Sequence, residues 1–134
     1  MDWLPYQQKS PIETPRPYLV VGLRYQGNSV PVLAVVDSGA DYSSFNIAHA
    51  RKLGFNPELA RQIDAMGPEG QPFKCWHAKD LGLEMEIGNR SYPLRGILID
   101  SDTDVLGRGD FFNHFEVIFR ERDKHFALTS LDVE

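Results

Sequence analysis

An apolar run rich in β-branched residues, residues 30–36, ends abruptly at Asp37, Ser38 and Gly39. Such a run predicts a strand covered on both faces, because a strand with one solvated face alternates apolar and polar residues. A carboxylate at the end of a buried strand is costly to desolvate unless it has a hydrogen-bonding partner or a chemical role. The sequence therefore predicts a strand that delivers Asp37 to a turn, which Ser38 and Gly39 favour.

The Asp-Ser-Gly tripeptide alone is ambiguous, because the same residues end ordinary strands. A second motif downstream narrows the interpretation: Val105 and Leu106 are followed by Gly107 and Arg108. Together, Val-Val-Asp-Ser-Gly-Ala-Asp and Val-Leu-Gly-Arg-Gly-Asp resemble the paired signatures of the retropepsin-like aspartic proteases, a single-lobed, homodimeric family. The resemblance covers about residues 17–130 of the chain.

This resemblance implies a mainly β, retropepsin-like acid protease fold: a closed, barrel-like subunit with one or two short helices. The protease domain is expected over residues 17–134, and residues 1–16, with prolines at positions 5, 11 and 15 among polar residues, are predicted to form an extended N-terminal arm. The resemblance also implies one catalytic aspartate per subunit, Asp37. Because the chain carries one Asp-Ser-Gly motif, two carboxylates would require a homodimer, which would hydrolyse peptide or protein substrates with water activated between two Asp37 side chains.

The resemblance assigns further roles around the two motifs. Ser38 would hydrogen-bond across the dimer axis, and Gly39 would present backbone groups to the substrate. Asp41 would pair with Arg108, and such a pair can be bidentate. The active-site support set is Ser38, Gly39, Ala40, Asp41, Gly107 and Arg108. The substrate-binding set is Met66 and Gly67, near a flap hairpin, with Thr103 and Val105 in the side-chain pockets.

Two other functions fit the sequence. A catalytically inactive domain of the same fold would serve as a dimerisation or peptide-binding module. An unrelated β-rich ligand-binding domain would carry the Asp-Ser-Gly motif by chance. Cleavage of a peptide library by a dimer, blocked by a statine-type transition-state analogue, separates the enzyme from both.

Composition limits the partners. The 134 residues predict one domain, and the net charge of −5 without a basic cluster argues against nucleic acid. The sequence has no apolar run suited to a membrane span and no basic-then-apolar N-terminus, so a cytoplasmic protein without a membrane partner is expected.

Cys75, the single cysteine, has no companion ligands at metal-binding spacing. Asp100, Asp102 and Asp104 alternate like the start of a calcium loop, but the glycine and terminal glutamate of that loop are missing. No metal or other cofactor is expected, and Asp102 and Asp104 are instead expected to favour a basic substrate side chain.

Local patterns predict the remaining elements. Ser43 and Ser44 suit a helix N-cap, with Leu53 near the end of that helix and Gly54 after it. A short second helix is predicted over residues 58–63, a hairpin with an exposed tip over residues 65–73, and a short helix near Phe111. Strands are predicted over residues 18–25, 30–36, 81–87, 92–99, 115–119 and 125–129. Turn residues at positions 26–29 join the first two strands into a hairpin that delivers Asp37.

Overall fold

The structure, a computed structural model, describes residues 2–67 and 69–132. Its strands are β1 (Trp3–Pro5), β2 (Tyr18–Tyr25), β3 (Asn28–Val36), β4 (Ser44–Asn46), β5 (Ile63–Met66), β6 (Pro72–His77), β7 (Glu84–Ile87), β8 (Arg90–Pro93), β9 (Ile97–Ile99), β10 (Val105–Leu106), β11 (Phe115–Arg120) and β12 (His125–Ser130). The helices are α1 (Ile47–Lys52) and three 3-10 turns, Pro57–Leu59, Ala78–Leu81 and Phe111–Asn113. The prediction of a mainly β subunit is confirmed. Within the described residues, no helix is long and apolar enough to cross a membrane.

The strands form two sheets. One has nine strands in the order β5-β6-β9-β4-β10-β3-β2-β7-β8, and the other has three in the order β1-β12-β11. A single buried hydrophobic cluster takes residues from both sheets. Phe111 lies in this cluster and stacks on Phe115, with ring centroids 5.1 Å apart. The short helix predicted near Phe111 is present as the 3-10 turn Phe111–Asn113, and its aromatic side chains anchor the end of the second motif on the core.

A β2–β3 hairpin carries the first motif, as predicted. The two strands pair from Tyr18 opposite Val35 to Tyr25 opposite Asn28. Gln26 and Gly27 both have positive φ angles, 49° and 83°. Two such residues make the tight hairpin turn whose twist matches that of the strands. Because this turn fixes the register, it also fixes where β3 ends and where the next residue, Asp37, emerges.

Strand β10 brings the second motif beside the first. It pairs in parallel with β3, Val105 opposite Val35 and Leu106 opposite Val36. On its other side Val105 pairs with Ser44 of β4 in the antiparallel sense. Two segments about 70 residues apart in the sequence therefore lie side by side, and both end at the same edge of the sheet.

The helix after the first motif begins later than predicted. Ser44 lies in strand β4, and α1 runs only over Ile47–Lys52, capped by Asn46, whose side chain accepts a hydrogen bond from the Ala48 amide at 3.0 Å. Ser43 cannot act as the cap, because its hydroxyl donates to a buried carboxylate, described below. The end of the helix is confirmed: Gly54 has a left-handed φ of 97° just past it.

Three other boundaries differ from the predictions. The second helix is a single 3-10 turn, Pro57–Leu59, and Ile63 already belongs to β5. The strand predicted over residues 81–87 begins only at Glu84, because Gly82 adopts a left-handed φ of 70° after the preceding turn. The strand predicted over residues 92–99 is two strands, β8 and β9, which pair with different neighbours. Pairing with different neighbouring strands, which local periodicity does not encode, decides the division into β8 and β9.

Part of the predicted N-terminal arm docks on its own subunit. Trp3–Pro5 pairs with β12, and the guanidinium of Arg120 lies 4.0 Å from the centre of the Trp3 ring. The Tyr6 amide donates to the Lys124 carbonyl at 2.7 Å, and the Tyr6 side chain is buried. Backbone pairing, a cation-π contact and apolar burial together hold this segment against the C-terminal hairpin.

Candidate active site

Asp37 stands in a tight turn directly after β3. Its amide donates to the Leu106 carbonyl of β10 at 3.0 Å, and its own carbonyl accepts from the Ala40 amide at 3.2 Å. One carboxylate oxygen, Oδ1, accepts from the Gly39 amide at 2.8 Å, while the side chain is exposed. The backbone of Asp37 is therefore fixed and one carboxylate oxygen is held, although the side chain is exposed.

The second motif supports this turn at close range. A β-carbon on Gly107 would lie 2.4 Å from the carbonyl carbon of Tyr42, a distance that real structures do not tolerate. The Arg108 amide donates to the Ala40 carbonyl at 2.9 Å, and the Gly109 amide donates to the Asp41 carbonyl at 2.6 Å. Gly107 therefore permits a close approach of two backbones, which hydrogen bonds then hold together.

Asp110 and Ser43 form a buried polar unit that the sequence analysis missed. Asp110 is 1% exposed, and its Oδ1 accepts from the Ser43 hydroxyl at 2.5 Å, the Ser43 amide at 3.2 Å and the Phe111 amide at 2.9 Å. Its Oδ2 accepts from the Arg95 amide at 3.2 Å. The Ser43 hydroxyl in turn accepts from the Gly107 amide at 2.9 Å. The one available sequence signal was a charged residue directly before the apolar pair Phe111-Phe112.

Asp104 points into the protein, so the expectation that it would attract a basic substrate side chain is wrong. It is 8% exposed, and its Oδ1 accepts from the Asn46 amide at 3.0 Å. Its Oδ2 lies 3.1 Å from Nε2 of His49. Both oxygens are thus occupied inside the subunit. Asp102 is exposed and accepts from the Asn46 side-chain amide at 3.2 Å.

The predicted ion pair between Asp41 and Arg108 does not form within the subunit. Both residues are described and exposed, and no carboxylate oxygen of Asp41 lies within 4.0 Å of the Arg108 guanidinium. An ion pair between two exposed side chains stabilises a fold by at most about 1 kcal/mol, so little free energy would be gained if these two side chains paired. The two segments are joined by their backbone hydrogen bonds instead.

The residues predicted to bind substrate lie in two places. Met66 is 70% exposed at the end of β5, and Gly67 begins the loop to β6, where its amide donates to the Gln71 carbonyl at 2.7 Å. Pro68, within the predicted hairpin, lies outside the described residues. Thr103 is exposed just before β10, and Val105 is buried within that strand. The hairpin predicted over residues 65–73 is therefore present as β5 and β6.

Two surface clefts meet at Asp41 and Tyr42. One, of about 660 Å³, begins at Ser38 and runs past Arg108. The other, of about 630 Å³, is lined by residues 41–44, by residues 95–97 and by His77, Lys79 and Asp80. Its charged and titratable lining residues are Asp41, Tyr42, His77, Lys79, Asp80 and Arg95. Within residues 2–67 and 69–132, no three His, Cys, Asp or Glu side chains lie together in a way that could hold a metal ion.

Two solved structures that the protein resembles are both proteases. A retropepsin-like aspartic protease from Rickettsia conorii matches with a TM-score of 0.63 and 16% sequence identity, covering 96% of this chain and 99% of that one. EIAV protease complexed with the inhibitor HBY-793 matches with a TM-score of 0.49 and 22% identity, covering 75% of this chain and 88% of that one. No protein-family model matches the sequence, and no curated protein matches it. The Rickettsia likeness shows that the chain has the retropepsin-like fold, as the two motifs predicted.

Proposed function

We propose that this protein is an aspartic endopeptidase whose active site is formed by two copies of the chain. The observation that carries the proposal is the position of Asp37. It is an exposed carboxylate with one oxygen held by the Gly39 amide, in an Asp-Ser-Gly turn at the end of β3 on a retropepsin-like fold.

The proposed chemistry needs two carboxylates and one shared proton. Peptide hydrolysis requires a base to activate water and an acid to protonate the carbonyl oxygen and the leaving amine. Two carboxylates a few ångströms apart cannot both ionise, and aspartic proteases are the standard example of this arrangement. Asp37 and its symmetry copy would share the proton, and the apparent pKa values would belong to the pair.

A two-fold homodimer is the assembly that supplies the second carboxylate. The chain contains one Asp-Ser-Gly motif, and a two-fold axis beside Asp37 would bring two copies of it together. Ser38 is exposed next to Asp37, where it can hydrogen-bond across that axis. Asp41 and Arg108 are exposed and unpaired with one another in the subunit, so both charges remain free for contacts made on assembly or substrate binding.

The substrate is proposed to be an extended peptide. Gly39 would offer its backbone carbonyl to it, and the exposed Met66, together with Gly67, would close over it. Thr103 and Val105 flank the start of β10, directly beside β3, which supports a role in the side-chain pockets. The cytoplasmic location stays a prediction from the sequence.

Cleavage of a peptide library, profiled from about pH 3 to pH 8, tests the function. The wild type is compared with Asp37→Asn, and Asp123→Asn is the matched control because Asp123 lies in the exposed turn between β11 and β12. We expect cleavage by wild type and control, inhibition by a statine-type analogue, and a loss of at least about 10²–10⁴-fold in Asp37→Asn. A folded wild-type dimer that binds peptides but never cleaves them would support the inactive peptide-binding module instead.

A further inference from the structure

The strand that holds Asp37 in place is very short. Strand β10 contains only Val105 and Leu106, yet the Leu106 carbonyl accepts the hydrogen bond from the Asp37 amide. Two residues form few ladder hydrogen bonds, and such short pairings are weak unless other contacts hold them. Something beyond β-pairing must therefore fix the position of this carbonyl.

Two buried carboxylates flank this strand. Asp104 precedes β10 and is 8% exposed, and Asp110 follows the second motif and is 1% exposed. They are the two buried charged side chains among residues 2–67 and 69–132. A buried carboxylate is tolerated only where hydrogen-bond donors replace its water. The donors around each one therefore show what it binds.

Both carboxylates bind the same neighbouring segment, at its two ends. Oδ1 of Asp110 accepts from the amide and hydroxyl of Ser43, directly before β4. Oδ1 of Asp104 accepts from the amide of Asn46, the last residue of β4. These bonds tie β10 to β4 from both sides. We name Asp104 and Asp110 together the aspartate clamp.

Further hydrogen bonds connect the clamp to the first motif. The Asp104 carbonyl accepts from the Val35 amide of β3 at 3.0 Å. The Ser43 hydroxyl, held by Asp110, accepts from the Gly107 amide at 2.9 Å. Leu106 lies between these two fixed points, and its carbonyl holds the Asp37 amide.

We propose that the aspartate clamp sets the position of the Leu106 carbonyl and thereby the position of Asp37. Asp104 and Asp110 are positioning residues in this proposal, because neither contacts the reacting atoms. The link to catalysis rests on the proposed protease function, whereas the link to the geometry of Asp37 does not. His49 belongs to the same arrangement, since its Nε2 lies 3.1 Å from the second oxygen of Asp104.

The two members of the clamp differ in how they can be tested. Asp110 accepts four hydrogen bonds in a fully buried site, so its replacement strands several donors and threatens the whole fold. Asp104 accepts from one backbone amide and faces His49, whose side chain is 21% exposed. Substitution at Asp104 should therefore act locally, and Asp104 is the residue to change.

Hydrogen exchange followed by NMR measures the geometry directly. Asp104→Ala should speed exchange at the Asp37 and Val35 amides about tenfold, while the amides of the β11–β12 ladder stay unchanged. Asp104→Asn should restore part of the protection, because its side-chain oxygen can still accept from the Asn46 amide. Asp100→Asn, an exposed aspartate of the same loop, is the control with the same change of charge and should leave all these amides unchanged.

Kinetics provides the second readout. Asp104→Ala should lower kcat about tenfold with KM nearly unchanged, because the substrate pockets remain while Asp37 is misplaced. Unchanged exchange at Asp37 in Asp104→Ala would overturn the clamp, and so would faster exchange spread evenly over all strands. If the wild type has no hydrolytic activity, the proposed function fails, and the exchange result alone decides on the clamp.

Discussion

Replacing Gly107 by alanine should destabilise the subunit, and the size of the loss can be estimated from the distances between the added β-carbon and its neighbours. The added β-carbon would lie 2.4 Å from both the carbonyl carbon and the carbonyl oxygen of Tyr42, and 3.0 Å from the Ala40 carbonyl oxygen. Ordinary van der Waals contact begins near 3.4 Å, so the two backbones must separate by about 1 Å. All the clashing atoms are backbone atoms, which cannot turn away as a side chain would.

Separating the two backbones would also weaken the hydrogen bonds that join the two motifs. Overpacking of a closed site costs about 1–3 kcal/mol, and loosening the hydrogen bond from Gly107 to Ser43 adds about 1 kcal/mol. We therefore expect Gly107→Ala to lower the free energy of unfolding by about 2–4 kcal/mol. Urea denaturation at one fixed protein concentration measures the change, because the stability of a dimer depends on concentration.

Gly39→Ala is the matched control for stability. A β-carbon at Gly39 meets only Oδ1 of the Asp37 side chain, at 3.2 Å, so a loss below about 1 kcal/mol is expected. If Gly107→Ala were as stable as Gly39→Ala, the close approach of the two motifs would not be a feature of the folded protein.

Three further outcomes follow from the structure. Asp41→Ala and Arg108→Ala should each change subunit stability by less than about 0.5 kcal/mol, and a coupling above about 1 kcal/mol in the double-mutant cycle would contradict their separation. Burial raises the pKa of the Cys75 thiol, so iodoacetamide at neutral pH should label the native protein far more slowly than the urea-unfolded protein; equal rates would place the thiol at the surface. Trp3→Ala removes the contact with Arg120 and a half-buried aromatic side chain, so denaturation should show a loss of about 1–3 kcal/mol; no loss would mean that the N-terminal strand does not dock.

Local sequence patterns predicted the parts of the fold that local chemistry decides. The β2–β3 hairpin is confirmed because β-branched strands and a turn at Gln26-Gly27 are adjacent in the chain. The helix end at Gly54 is confirmed, and it was predictable because it depends on a local property, the ease with which glycine adopts the left-handed φ that ends a helix. The position of Asp37 at the end of β3 followed from the abrupt end of the apolar run.

Contacts between distant segments decided what the sequence did not reveal. Ser43 looked like a helix cap, but its hydroxyl is bound to Asp110, 67 positions away. Strand β4 has three residues and depends on β9 and β10 for its partners. Asp104 and Asp102 alternate in one acidic loop, and nothing local indicates that only Asp104 turns inward. The predicted pairing of Asp41 with Arg108 failed because proximity in the backbone does not ensure contact between exposed side chains.

In the proposed enzyme, two Asp37 carboxylates, one from each subunit, form one active site. Mixing wild-type and Asp37→Asn subunits in equal amounts, with exchange between dimers complete, tests it most directly. If one carboxylate per dimer is insufficient, random pairing leaves about one quarter of the dimers active, and activity should follow the square of the wild-type fraction. Activity that falls to one half, in proportion to the wild-type fraction, would mean that each subunit works alone and would contradict the shared site.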